Sequence, residues 1–155
     1  MRSGVRIGVD VGRARIGVAR SDPSGLIATP IATVPRAADG DGDVREILGH
    51  AAEHDAIEVV VGLPLSLSGG RTPSTEDAER FAARIAAAAT VPVRLVDERL
   101  STVSAQSALS ASGRNTRKSR PVIDQVAAVI ILQHALDSER AGGRAPGTVV
   151  LTEGP

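Results

Sequence analysis

Ile7-Gly-Val-Asp-Val-Gly-Arg-Ala-Arg-Ile-Gly-Val-Ala19 is the stretch around which the chain is organised. Val5, Ile7 and Val9 alternate with Arg6, Gly8 and Asp10, and Ile16 and Val18 alternate with Gly17 and Ala19, the two-residue period of strands. Two such runs joined by a tight turn predict a β-hairpin with Asp10 where its first strand ends. Gly8, Gly12 and Gly17 each remove a side chain near that carboxylate, which admits a close backbone or ligand or simply relaxes the turn. A strand-end carboxylate beside glycines suits a hard cation that carries phosphate. An aspartate capping its own turn explains the same residue, so both readings stand on this stretch alone.

Outward from the hairpin, Asp22-Pro-Ser-Gly25 marks a turn and Leu26 to Val34 reads as a third strand, which Pro30 places at an edge. Val44, Ile47, Leu48, Ala51 and Ala52 recur at helical spacing. Ile57 to Gly62 reads as a buried strand, and the loop from Gly62 to Arg71 leaves it. Ser74 with Asp77 resembles a capping box opening a helix through Phe81, Ile85 and Ala89. Val91 to Val96 is the next strand, and Asp97-Glu98-Arg99 stands at its end. Ser101 caps a further short helix, Gly113 to Arg120 is a basic loop, and Pro121 fits the first helical position of a long helix reaching about Arg140.

Strands alternating with helices in the second half imply parallel pairing there with right-handed crossovers, whereas the first three strands pair antiparallel. The expected fold is α/β, a mixed five-stranded sheet of three antiparallel strands then two parallel ones, with helices on both faces. Residues 1–140 form one domain. Residues 141–155, rich in Gly and Pro, read as a flexible C-terminal tail, the other reading being a short added strand at Thr148 to Leu151.

Composition excludes several functions. The 155 residues contain no cysteine, so disulfides and thiolate metal sites are ruled out. Phe81 is the only aromatic residue, so the chain cannot build the stacking platform of a sequence-specific reader of single-stranded RNA. Any nucleic acid would be read by backbone and shape. The formal net charge is +0, which argues against a histone-like binder while leaving local patches effective. No apolar run approaches the roughly 18 residues of a membrane helix, and no signal peptide is visible, so a cytoplasmic protein without a membrane partner is expected.

Three acidic groups fall at comparable places: Asp10 ending the first strand, Asp97 or Glu98 ending the last, and Asp124 early in the last helix. At helical spacing Asp124 shares a face with Ala127, Ala128 and Ile131, the stripe that presses on the sheet. A buried carboxylate needs a partner. A metal ion shared with Asp10 supplies one; an arginine such as Arg99 or Arg120, or the helix N-terminus, supplies another. Carboxylates without histidine or cysteine suit Mg²⁺ or Mn²⁺, and such ions activate water and stabilise the leaving oxygen in phosphodiester displacement. Arg114, Arg117, Lys118 and Arg120 put four positive charges in seven residues, a grip for a phosphate backbone.

Gly8-Val-Asp-Val-Gly-Arg-Ala-Arg-Ile-Gly-Val-Ala19, Val60-Val-Gly-Leu-Pro-Leu65 followed by Gly69, Asp97-Glu-Arg-Leu-Ser-Thr102 and Ile123-Asp-Gln-Val-Ala-Ala-Val-Ile-Ile-Leu-Gln133 together resemble the YqgF/RuvX family. The resemblance runs in order from about residue 4 to residue 136. It implies an RNase H-like fold and a metal-dependent endonuclease, a family described both as pre-16S rRNA nucleases and as Holliday-junction resolvases. It also implies that Asp10, Glu98 and Asp124 form the acidic metal site, with Asp97 the alternative to Glu98. Arg15 matches the arginine of the first block and is expected to contact a phosphate or to hold Asp10. Arg99 completes the acidic triplet, and Lys118 matches a basic position before the last helix. The expected function is 5′-end processing of precursor 16S rRNA during ribosome biogenesis. The alternatives are resolution of branched DNA, which a homodimer with two active sites would suit, and a non-catalytic module that binds nucleic acid or a transcription factor. Sugar-kinase and actin-like ATPases share only the first block, and their two-domain cleft needs at least twice this length.

Overall fold

The computed structural model describes residues 1–98 and 120–151, with side chains from Asp124 onward in the second stretch. Its elements are β1 (Arg6–Val11), β2 (Arg15–Ser21), β3 (Ala28–Pro35), α1 (Gly42–Glu53), β4 (Glu58–Leu63), α2 (Pro73–Ala88), β5 (Val93–Asp97), α3 (Arg120–Gly142) and β6 (Thr148–Val149). They form one mixed sheet in the order β3-β2-β1-β4-β5-β6. The first hairpin becomes its centre: β1 pairs antiparallel with β2 from Ile7–Arg20 to Val11–Ile16, and parallel with β4 from Arg6–Glu58 to Val9–Val61. β4 in turn pairs parallel with β5, from Val59–Val93 to Leu63–Asp97. Pro30 sits on the edge strand β3 beside a register shift at Val18/Ala19, where the missing N–H of a proline does least harm.

The alternation that predicts the strands also sorts the core into two layers. Ile7, Val9, Ile16, Val18, Val59 and Val61 face α1 and α2, where Ile47, Phe81 and Ile85 meet them. Ala19, Val60 and Val96 face α3, packing on Ala128, Ile131, Leu132, Ala135 and Leu136. Helices thus cover both faces, as expected. Small residues let α3 come down close: a Cβ on Gly8 would lie 2.7 Å from Leu132 Cβ and 3.1 Å from the Ala128 carbonyl oxygen.

Two expectations are corrected. The sheet has six strands, not five. The extra one, β6, pairs antiparallel with β5 through Arg94–Val149 and Leu95–Thr148, and Val150 N–H donates to Val93 O at 2.8 Å. A pairing of two exposed residues leaves almost no periodicity to read. The cap of α2 is Thr72, not Ser74: its hydroxyl accepts from Thr75 N–H, and Thr75 Oγ1 accepts from Thr72 N–H at 2.9 Å. Pro73 makes the difference, because a residue without an N–H fits the first helical position and moves the cap before it. The helix expected after Ser101 lies outside the described residues. Among those described, no helix is long and apolar enough to cross a membrane.

Candidate active site

Three strand ends and one helix converge on Asp10. In β2 its cross-strand partner is Gly17, and one step past the Val9–Val61 pair its neighbour in β4 is Gly62. Asp10 therefore lies in a row flanked by two residues without side chains. Over Gly17 passes the backbone of α3, with the carbonyl of Asp124 occupying the place a Cβ would take. Over Gly62 lies the carboxylate of Glu98, beside Ile131. The glycines are the reason the end of β1, the residue after β5 and the backbone of α3 come to the same end of the sheet.

Strand alternation separates Asp97 from Glu98. Val96 faces α3, Asp97 pairs with Leu63 and is exposed, and Glu98, whose N–H donates to Leu63 O at 3.2 Å, returns to the α3 face. The side chain that approaches Asp10 is thus that of Glu98. Burial, and then the nearby Asp124, push the Asp10 carboxyl up to about 6. Burial, then Asp10 and Asp97, push Glu98 up to about 7. Like charges held in a partly dry site resist joint ionisation, which marks a place where a cation would be welcome.

Buried carboxylates elsewhere in the fold are neutralised by arginine. Glu58 meets Arg2 and Arg94, each at 2.9 Å. Glu139 meets Arg2 at 2.5 Å and Arg6 at 3.0 Å. Asp43 lies 3.5 Å from Arg84 and 3.8 Å from Arg36. The Asp10 carboxyl has no hydrogen-bond or ion-pair partner among the described residues. Asp124 does have one: Arg15 Nε donates to its Oδ2 at 2.9 Å. Arg15 therefore holds Asp124, where the sequence pointed to Asp10 or a phosphate. Among the described residues no three His, Cys, Asp or Glu side chains converge closely enough to hold a metal ion in this conformation. The donor chemistry nevertheless fits one: three carboxylates at one end of the sheet, all oxygen donors, suit a hard divalent cation.

Arg99, Arg114, Arg117 and Lys118 lie outside the described residues, and Arg120 opens α3 with its side chain outside them too. The loop after β4 is held at the active end of the sheet. Ser66 N–H donates to Gly70 O at 2.9 Å, Gly70 N–H donates to Ser66 Oγ at 2.9 Å, and the Thr75 hydroxyl donates to Pro64 O. Leu67 projects from the loop tip, 87% exposed.

One supporting residue escaped the sequence reading. Arg36, just past β3, donates through Nη1 to Gly12 O and to Asp77 Oδ2, both at 2.9 Å, and its N–H donates to Ala14 O at 2.9 Å. Its guanidinium lies 5.1 Å from the centre of the Phe81 ring. It clamps the Asp10–Arg15 turn against α2. In the sequence it is one arginine among many after an edge strand, with nothing to set it apart.

A family model described as RuvX, Holliday junction resolvase, matches residues 4–138. A relative from Clavibacter michiganensis subsp. michiganensis (strain NCPPB 382), named "Putative pre-16S rRNA nuclease", is 69% identical over 150 residues, 97% of this chain and 93% of its own. One from Leifsonia xyli subsp. xyli (strain CTCB07) under the same name is 58% identical over 147 residues, 95% and 94% of the two chains. Among solved structures, T. thermophilus RuvC in complex with Holliday junction substrate matches with a TM-score of 0.54 at 18% identity, over 92% of this chain and 99% of that one. That likeness is one of fold, and the fold is RNase H-like.

Proposed function

The chain belongs to the RuvX family, and from that premise we propose that it is a cytoplasmic endonuclease that hydrolyses phosphodiester bonds in precursor 16S rRNA. Its nearer relatives are named for that substrate. Asp10, Glu98 and Asp124 are the catalytic carboxylates in this reading, and they hold Mg²⁺ or Mn²⁺. The observation that carries it is Asp10, a partly buried carboxyl with Asp124 nearby and no side-chain partner among the described residues, whereas the fully buried acids there, Asp43, Glu58 and Glu139, each meet an arginine. Exposed Asp97 serves as a strand-end residue rather than a ligand.

When bound, the cation supplies an activated water and a counter-charge for the leaving oxygen. The protein's share is placement. β1 and β5 fix Asp10 and Glu98 side by side, Gly17 admits α3, and Arg36 fixes the turn behind Asp10. Arg99, Arg114, Arg117, Lys118 and Arg120 hold the substrate's phosphates, contacts that carry no sequence information and so suit a chain whose only aromatic is buried Phe81, whereas Arg15 is engaged by Asp124. In this reading residues 1–140 are the domain that carries the activity.

The family's description as a junction resolvase supports a second substrate, and paired cuts in a four-way junction need a homodimer. Purified protein is given 5′-labelled precursor 16S RNA and a synthetic four-way DNA junction in parallel, with Mg²⁺ or Mn²⁺ and an Asp10→Asn control. Cleavage of the RNA alone, absent in the control, is the expected result. Paired cuts in the junction alone make the protein a resolvase. Binding without cleavage of either removes the enzyme reading and leaves a binding module.

A further inference from the structure

Asp124 reaches the site with its backbone already fixed. Its carbonyl fills the place of a Gly17 side chain, and one and two turns on, Ala128 and Leu132 lie close over Gly8. The helix cannot sink further toward the sheet, so the approach of Asp124 to Asp10 is left to its side chain. Arg15 holds that side chain, Nε to Oδ2 at 2.9 Å, with 39% of the arginine side chain and 19% of the aspartate side chain exposed. Arg15 is itself anchored, because it begins β2 opposite Pro35 and its carbonyl accepts Gly12 N–H at 2.9 Å.

In this arrangement three carboxyl groups do not converge on one point among the described residues. To share a cation with Asp10 and Glu98, the Asp124 carboxylate turns about its own side-chain bonds, since its backbone is already in contact with Gly17 and cannot come closer. Turning breaks the bond to Arg15. The guanidinium and the cation are thus alternatives for one carboxylate. We propose that Arg15 is a built-in competitor for the divalent cation: it neutralises Asp124 while the site is empty and releases it when the cation binds. This rests on the reading of Asp10, Glu98 and Asp124 as cation ligands. It gives Arg15 a role distinct from a helper that merely orients Asp124, because the two roles predict opposite signs. A helper's removal weakens cation binding, whereas a competitor's removal strengthens it.

The test is Mn²⁺ binding by calorimetry at pH 7.5 to the wild-type protein, Arg15→Gln, Arg15→Lys and Asp10→Asn, with folding of each checked by its amide spectrum. Arg15→Gln is expected to bind about tenfold more tightly than wild type, from loss of a nearby unit charge and of the competing bond, and Arg15→Lys to within about threefold of wild type. A second measurement needs no variant. The Nε–H signal of Arg15 in the wild-type protein, followed during titration with Mg²⁺, is expected to move or lose its protection from exchange in step with saturation. Equal or weaker Mn²⁺ binding by Arg15→Gln overturns the proposal, as does an Nε–H signal unmoved at saturating Mg²⁺. In those cases cation binding by wild type that Asp10→Asn abolishes leaves the carboxylate reading standing. Absence of Mn²⁺ binding by wild type and Arg15→Gln alike overturns both together.

Discussion

Two residues that contribute no side chain decide how the acidic groups meet, and they fail in different ways when filled. A Cβ on Gly17 runs into the carbonyl carbon and oxygen of Asp124 and lies 3.1 Å from the Gln125 nitrogen. These are backbone atoms of a helix seated along its length, so Gly17→Ala lifts α3 as a body. The expected cost is about 3 kcal/mol, read as a lower urea midpoint, with cleavage lost alongside. A Cβ on Gly62 meets the Glu98 carboxylate and, at 2.6 Å, Ile131 Cδ1. Both are the far ends of flexible side chains and can give way. Gly62→Ala is therefore expected to cost only about 1 kcal/mol. It displaces Glu98 from Asp10, however, and cleavage falls roughly a hundredfold, the scale of a misplacement of about 1 Å at a reacting centre. Urea unfolding and cleavage measured on both variants separate the two: a loss of activity in Gly62→Ala that merely tracks its loss of stability contradicts this account of Glu98.

At the scale of elements, periodic patterns in the sequence carry through to the fold, whereas side-chain pairings between elements do not. The hairpin, the crossover order, Asp10 at a strand end and Asp124 on the buried stripe of α3 were all legible, because each rests on a period of two or of 3.6 over several residues. What was not legible depends on pairings between distant residues. Arg15 and Asp124 are 109 residues apart and Arg36 and Asp77 are 41 apart, and no local pattern selects those partners among so many arginines and acids. Asp77 illustrates the point: a capping-box reading uses it locally, whereas the fold uses it to hold Arg36 in a fork at 2.9 and 3.2 Å. The clamp joins β3, α2 and the turn after β1 into one unit, so its removal is felt in all three. Arg36→Ala is expected to destabilise by about 2–3 kcal/mol, since it strips a partly buried carboxylate of its partner and the Phe81 ring of a cation. Arg36→Lys recovers less than half of that, because an ammonium cannot span Asp77 and Gly12 O as the guanidinium does. Thermal unfolding of the two variants checks the order, and equal stability of Arg36→Lys and wild type would show that charge alone suffices.

Taken whole, the molecule has two ends of opposite electrostatic character, and its stability should peak between the pH ranges they govern. At the end of the sheet carrying Asp10 and Glu98 the folded carboxyls titrate at about 6 and about 7, above their ordinary range. As pH falls from 8 through that window the folded state takes up protons that the unfolded state does not, so stability rises. At the other end Arg2, and with it Arg6, holds Glu139 down to about 2, while Arg2 and Arg94 flank Glu58. Here the unfolded chain is the first to be protonated, so stability is fully present above about 4.5 and is lost as pH falls toward 2. Arg36 lowers Asp77 in the same sense. The sum is a maximum between about pH 4.5 and 6, below the neutral range in which the ionised site would bind its cation. Unfolding free energies in urea from pH 3 to 8, without divalent ions, should trace that shape. Each limb has its own control: Asp10→Asn should flatten the neutral limb and raise stability at pH 8 by about 1–2 kcal/mol while leaving pH 4 unchanged. Glu139→Gln should lower stability at pH 6 and flatten the acid limb. A wild-type profile that rises steadily to pH 8 would mean that the carboxyls around Asp10 ionise freely, with no crowding of charge there for a cation to relieve.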